Sequence, residues 1–402
     1  MKDLKIFTNN IEDSAKEQID LLLEQEAFKD CKVRIMPDVH AGAGCVIGFT
    51  GNLGDKVIPN IVGVDIGCGM LCVELGKVDI DLKMLDHIIK YNIPSGRNVH
   101  EKAKRCFSIE RLCCYEQLRN DNNYFNRSLG TLGGGNHFIE IDADDDGNKY
   151  LIIHTGSRNL GKQVCEIYQN KAIKYCSYNK EMQEEKNKAI KELKEQGRER
   201  EIQQALIEIG KKYEGKTKLP KDLCYLEGKD REDYLHDMAI CQMFAAINRE
   251  LIATIILDGL HLFDEFWFSK FNYFHIIHNY IDFEDNIIRK GAISARKGER
   301  VIIPMNMRDG CIIGIGKGNE DWNYSAPHGA GRTMSRNIAK QLISMDEYKD
   351  SMKGIYTTSV NEDTLDESPM AYKPMEEILE HIKDTVEVVK IIKPIYNFKA
   401  GE

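Results

Sequence analysis

Eleven histidines occur in the chain, and several stand in glycine-rich turns, the places where a rigid scaffold presents reactive groups. His137 and His154 sit at the open ends of an expected hairpin, 138–141 with 150–153. A turn centred between Asp145 and Asp146 puts the two imidazoles directly opposite, Cβ atoms roughly 5 Å apart on one face. A turn centred on Asp146-Gly147 makes them a diagonal pair at roughly 7–8 Å. Neutral imidazoles at either spacing can share a transition-metal cluster. The competing reading is two histidines on a solvated sheet face. Val64-Asp65-Ile66-Gly67-Cys68-Gly69 adds a carboxylate and a thiol in a glycine-rich turn, and a thiolate can bridge two ions. His278-Asn279 follows a strand-like run and offers a further ligand. Asp38 and His40, in Pro37-Asp38-Val39-His40, are expected to orient ligands from behind.

A second constellation is Ser325-Ala326-Pro327-His328-Gly329-Ala330-Gly331-Arg332, followed by Arg336. Its glycines let backbone amides approach an anion, and its arginines suit phosphate. A histidine among such groups is a candidate nucleophile toward phosphorus. The plainer reading is a glycine-rich helix start with a buried histidine. Three apparent motifs fail. Asp142-x-Asp144-x-Asp146-Gly147 opens like a calcium loop but has Ile153 at its twelfth position. Gly316-Lys317-Gly318 lacks the lead of a P-loop. Met307 stands where a nucleotidyl-transfer lysine would precede Asp309-Gly310.

The elements that must position these residues are short. Apolar runs at 33–36, 46–49 and 61–64 suit strands. Residues 101–120 suggest a helix. The stretch 181–201 is dense in Glu, Lys and Arg, broken at Gly197, and suggests a helical arm. Another helix is expected over 234–256, and an amphipathic one over 375–389. These elements predict an α+β fold, with mixed sheets around a central metal-binding cleft and a helical insertion at about 162–221. One catalytic domain spans 1–402, since no Pro- or Ser-rich linker divides the chain.

With 42% hydrophobic and 30% charged residues, the chain is too apolar for a disordered one. Its formal net charge of -9 argues against a non-specific nucleic-acid coat, though a local basic patch still permits an RNA substrate. Arg289, Lys290, Arg296, Lys297 and Arg300 form such a run, for which a solvated face is the favoured reading. Twelve cysteines without paired spacing, and no apolar stretch of about 20 residues or signal-like N-terminus, predict a cytoplasmic protein with reduced thiols. The most apolar stretch, 251–263, is cut by Asp258 and His261.

Taken in order, Pro-Asp-Val-His at 37–40, Val-Asp-Ile-Gly-Cys-Gly at 64–69, Gly-Gly-Gly-Asn-His-Phe at 133–138, His-Thr-Gly-Ser-Arg at 154–158 and His-Gly-Ala-Gly-Arg at 328–332 resemble the RtcB family of RNA-splicing ligases. The resemblance implies a GTP- and Mn(II)-dependent enzyme joining RNA with a 2′,3′-cyclic phosphate or 3′-phosphate to RNA with a 5′-hydroxyl. It implies two Mn(II) ions bridged by Cys68, one held also by Asp65 and His137, the other by His154 and His278. His328 would carry GMP. Asn136 would contact its phosphate, and Phe138, Glu140, Tyr372 and Lys399 would line the guanine pocket. Asn279, Ala330, Gly331 and Arg332 would complete the nucleotide site, with Arg158, Arg332 and Arg336 as phosphate holders. An accessory activating protein is a further partner the resemblance admits. Manganese rests on the resemblance alone, because a thiolate, imidazole and carboxylate set binds Zn(II) more tightly. The chain departs from the family in two places. Pro304-Met305-Asn306-Met307-Arg308-Asp309-Gly310 replaces Pro-Gly-Ser-Met-Gly, and Ile288 replaces the histidine of His-Arg-Lys-Gly. These changes leave the metal and nucleophile positions intact and bear on nucleotide preference and RNA-end choice, and a specialised repair branch is expected. The alternative is a metal-dependent phosphodiesterase or cyclic-phosphate hydrolase, which uses water and needs no covalent carrier.

Overall fold

A computed structural model describes residues 3–262 and 267–400; Met1, Lys2, the 263–266 segment with Phe263, and Gly401-Glu402 lie outside the described residues. Fifteen strands are described. They are β1 Asp3–Ile6, β2 Lys32–His40, β3 Ile47–Asn52, β4 Gly69–Gly76, β5 Phe138–Ala143, β6 Lys149–Thr155, β7 Asn272–Ile277 and β8 Asn279–Asp282. The remainder are β9 Ile287–Lys290, β10 Ala292–Ser294, β11 Arg300–Asn306, β12 Gly310–Gly316, β13 Ser325–Pro327, β14 Tyr356–Thr357 and β15 Val386–Lys399. The largest sheet runs β11-β12-β15-β5-β6-β4-β7, with β14 parallel to β15. A second runs β1-β2-β3-β9-β8, and β10 pairs with β13. With helices laid against these sheets, the fold is α+β, as expected.

The long helix Gly228–Gly259 packs against β4, β6 and β8. Its Tyr234, Met238, Cys241 and Phe244 enter one apolar core, and Ile252, Ala253, Ile256 and Leu257 enter another beneath β4 and β6. Contrary to the composition-based expectation, this helix is long and apolar enough to cross a bilayer. It buries Asp237, Asn248 and Arg249 along with its apolar face, as a core helix does. The 162–221 stretch begins inside helix Arg158–Tyr175, which is also packed inward through Leu160, Val164 and Tyr168. Helices Asn179–Glu195 and Ile202–Tyr213 form the exposed, charge-rich arm, closed at its base by a Ser177–Thr217 bridge.

Three expected elements are different. Residues 61–64 are not a strand: Pro59 presets the first turn of a short helix, Pro59–Val62, and Gly63 ends it at φ 94°. Residues 101–120 hold only a 3₁₀ turn, Tyr115–Gln117, because side chains elsewhere take up the segment's backbone groups. Asn126 accepts from Phe107 N, and Asp237 from Cys113 N and Cys114 N. The 375–389 helix stops at His381; beyond it, the β-branched run from Val386 joins β12 and β5 as strand β15.

Candidate active site

The large sheet gathers distant residues at one edge. β4 is antiparallel to β6 and β7, and β5 to β6, so the starts of β4 and β5 meet the ends of β6 and β7. Cys68 and His137 immediately precede β4 and β5, His154 lies in the last pair of β6, and His278 follows β7. Asp65 arrives on the turn before Cys68, tied down where Cys68 N donates to Asp65 O (3.1 Å) and Gly67 N to Asn279 O (2.8 Å). Gly156 must be glycine here, since a Cβ would stand 2.1 Å from Asp65 Oδ1.

The hairpin takes neither expected register. Phe138 stands opposite His154, so the turn centres on Asp146, with Asp144 Oδ1 accepting from Asp146 N and Asn148 N. His137 still reaches His154, with ring centroids 5.4 Å apart, because it lies one residue outside the strand and escapes the pleat's alternation.

Four side chains converge on Cys68. Its Sγ lies 3.3 Å from His154 Nε2 and 3.5 Å from His137 Nε2; His137 Nε2 is 2.9 Å from Asp65 Oδ2, and His154 Nε2 is 3.5 Å from His278 Nε2. Two ligand groups result, Asp65-Cys68-His137 and Cys68-His154-His278, with the thiol common to both. His137 Nδ1 donates to Leu132 O (2.9 Å) and His154 Nδ1 to Asn136 O (3.1 Å), which leaves each Nε2 a lone pair. Lone pairs, a carboxylate and sulfur thus face one another with no proton between the first two, an arrangement a cation satisfies. Burial, with neighbouring imidazoles, holds His154 and His278 well below the usual histidine range, in the neutral ligand form. Burial and Asp65 push the Cys68 thiol well up, so a cation is what would favour its thiolate. Behind the cluster, the fully buried Arg249 donates to Gly67 O (2.9 Å) and Thr155 O (2.8 Å).

His328 follows β13, and its ring lies 4.8 Å from that of His278. Asp38, fully buried in β2, accepts three bonds on one oxygen: His328 Nδ1 (2.6 Å), His328 N (3.1 Å) and Gly329 N (3.2 Å). Since a carboxylate only accepts, Nδ1 carries the donated proton, and in the neutral ring the lone pair is then on Nε2. Gly331, at φ 74°, lets the loop close on β2; a Cβ there would lie 2.4 Å from Asp38 O. His328, His278 and His154 line a cavity of about 470 Å³ with Asn136, Phe138, Glu140, Ala330, Gly331, Arg332, Tyr372 and Lys399.

A family model described as tRNA-splicing ligase RtcB matches residues 25–113 and 113–400. The RNA-splicing ligase RtcB of Escherichia coli K12 is 31% identical, covering 90% of this chain and 88% of its own length. The chain belongs to the RtcB family of RNA-splicing ligases. More distant members include the tRNA-splicing ligases RtcB of Nanoarchaeum equitans, 27% identical over 86% of this chain and 83% of the relative, and Aeropyrum pernix, 25% identical over 90% and 86%.

Of the residues singled out by this resemblance to RtcB ligases, Asn279 does not line the cavity. Its amide accepts from Gly291 N (3.0 Å) and reaches Asp65 O (3.4 Å), bracing the metal-site turn. Arg158 is also outside the lining, donating to Gly96 O and Thr131 Oγ1. Arg332 lines the cavity while bonded to Met334 O, Asp366 O and Glu367. Asp38, expected to orient metal ligands, instead grips His328. The basic run is no solvated face. Arg289 is buried on Asp282 (2.7 Å), Lys290 reaches carbonyls of Ala43 and Asn60, Arg296 pairs with Asp282 and Asp285, and Arg300 with Glu74. Only Lys297 of the five is exposed.

Sequence reasoning missed Glu367. Buried on the cavity wall, it meets Lys399, Tyr372 OH (2.6 Å), Arg332 (3.3 Å) and Arg336 (3.4 Å). Burial would raise its carboxyl, but Lys399 and the two arginines hold it at about 2. No motif surrounds it; the unmatched cations Lys399, Arg332 and Arg336 were the only signal that a carboxylate was needed.

Proposed function

We propose that this RNA ligase uses GTP to activate an RNA 3′-phosphate, through a guanylylated His328, and then joins that end to a 5′-hydroxyl. The supporting observation is the His328–Asp38 clamp, which aims a free imidazole nitrogen into a cavity walled by His278 and His154. His328 Nε2 attacks the α-phosphorus of GTP, forming an N–P bond as pyrophosphate leaves. Asp38 holds the Nδ1 proton and stabilises the positive charge that grows on the ring. An oxygen of the RNA 3′-phosphate then attacks that phosphorus and the N–P bond breaks, returning the imidazole. The 5′-hydroxyl displaces GMP from the capped end; a cyclic end must first be opened to the 3′-phosphate.

Asp65, Cys68, His137, His154 and His278 would hold two divalent ions, Mn(II) in this reading. Such ions orient phosphates and offset charge on attacking and leaving oxygens. Phe138, Tyr372 and Lys399 would flank the guanine, with Glu140 accepting from the base while Asn397 Nδ2 holds its other side. The test is incubation with α-labelled GTP and Mn(II), then denaturing electrophoresis. An acid-labile label is expected on the wild type and absent from His328→Ala, with RNA joining lost in parallel. Persistent label in that variant overturns the nucleophile.

A further inference from the structure

A second set of metal-ligating side chains lies where the irregular 101–121 segment meets helix Gly228–Gly259. Cys113 Sγ is 3.6 Å from His236 Nδ1, which is 3.0 Å from Asp237 Oδ1, and the three ligand atoms fall within 4.8 Å of one another. Asp233, one helical turn before Asp237, pairs with Lys229 Nζ at 2.8 Å. Asp233, His236 and Asp237 stand at i, i+3 and i+4, the spacing that brings side chains to one helix face. Bond lengths for Zn(II) of about 2.3 Å to sulfur, 2.05 Å to nitrogen and 2.0 Å to oxygen put tetrahedral ligands about 3.6 Å apart for S and N, and about 3.3 Å for N and O. The Cys113–His236 separation matches that geometry, and the His236–Asp237 separation is about 0.3 Å shorter.

His236 Nδ1 faces both a sulfur and a carboxylate oxygen, and the three atoms form one ligand set. Asp237 cannot turn away, because its oxygens also accept from Cys113 N (2.7 Å), Cys114 N (3.0 Å) and Tyr168 OH (2.7 Å). Those bonds preset the carboxylate as a second shell would. We propose that Cys113, His236 and Asp237 bind a transition metal of the Zn(II) class. Thiolate, imidazole and carboxylate together select such an ion over Mg(II) or Ca(II). The His236 side chain is 50% exposed, so the ion would enter from solvent and not from the catalytic cavity. Its effect is to staple the 101–121 segment to the helix whose Gln242 touches the Gly67 turn and whose Arg249 grips Gly67 O. At 1.5 Å per residue, His236 lies about 20 Å along the helix from Arg249.

Cobalt(II) tests this, since its thiolate charge-transfer absorption reports cysteine ligation. Chelator-stripped Cys68→Ala protein is titrated with Co(II), which removes the catalytic thiol from the signal. The band is expected to appear with one equivalent and to vanish in Cys68→Ala/Cys113→Ser. In Cys68→Ala/His236→Gln the affinity behind it should fall about tenfold or more. No band in Cys68→Ala, or an undiminished band in the Cys113→Ser double variant, overturns the proposal. Should circular dichroism show the Cys113→Ser protein unfolded, the His236→Gln protein decides: unchanged Co(II) affinity there also overturns it.

Discussion

Replacing Asp38 by Asn tests the nucleophile clamp with almost no change of shape. In the wild type one oxygen accepts from His328 Nδ1, His328 N and Gly329 N, and the other, Oδ1, is buried with no hydrogen-bond partner among the described residues. An asparagine oxygen can occupy the first position, which puts the NH₂ where Oδ1 was, again unpartnered. Charge-assisted hydrogen bonds are worth about 1.5–3 kcal/mol against about 0.5–1.5 for neutral ones, so the ring bond alone loses about 1–2 kcal/mol. A comparable loss comes from the imidazolium charge, which the neutral amide no longer offsets as phosphorus is attacked. Together about 2–4 kcal/mol corresponds to a rate on the order of 30- to 1,000-fold lower. Single-turnover labelling with α-labelled GTP measures this step, with bound metal assayed on the same samples. Asp38→Asn is expected to slow labelling by that factor at unchanged metal content. Labelling within about threefold of wild type, or a parallel loss of metal, would refute the assignment of Asp38 to His328.

Further predictions concern the cluster and the cavity. Arg249→Met strands the Gly67 and Thr155 carbonyls, so metal affinity should fall about 10- to 100-fold by equilibrium dialysis, with RNA joining falling in step. Burial raises Glu140 to about 7 and Asp142 well above its ordinary range, so the folded chain holds these protons to higher pH than the unfolded one. The Glu140 contribution is complete below about pH 4.5 and is lost as pH rises through 7, roughly 3 kcal/mol, and Asp142 adds a loss of the same sign. The melting temperature of nucleotide-free protein should therefore drop between pH 5 and 8, and less steeply in Asp142→Asn. Glu367 has the opposite sign: held at about 2, it stabilises above about pH 4.5 and that stability disappears as pH falls toward 2. Glu367→Gln should cost about 3–5 kcal/mol in urea unfolding at pH 7, because Lys399 and two arginines lose their buried partner.

The convergence of Asp65, Cys68, His137, His154 and His278 was legible because these residues abut glycine-rich turns at strand ends, where residue type survives as a signal. The precise hairpin register was not, since Asp144-Asp145-Asp146-Gly147 admits several turns and side-chain capping by Asp144 chooses among them. The 375–389 stretch carries helical spacing at its start and β-branched residues at its end, and pairing with β12 and β5 settled the contest in favour of strand for the latter. Positive charge at 289–300 looked like surface because the partners Asp282, Asp285 and Glu74 could not be matched to it along the chain. Asp38 was visible as a functional carboxylate, but only the approach of β2 to the 328–331 loop shows whom it serves.

The ligands of the cluster span Asp65 to His278, drawn from strand ends that meet only when the large sheet closes. A nascent chain emerging from the ribosome therefore exposes the Asp65-Cys68-His137 donors long before His278 has been synthesised. The second ligand group, Cys68-His154-His278, is complete only after translation has passed that histidine, so the candidate cluster is assembled late in the protein's synthesis.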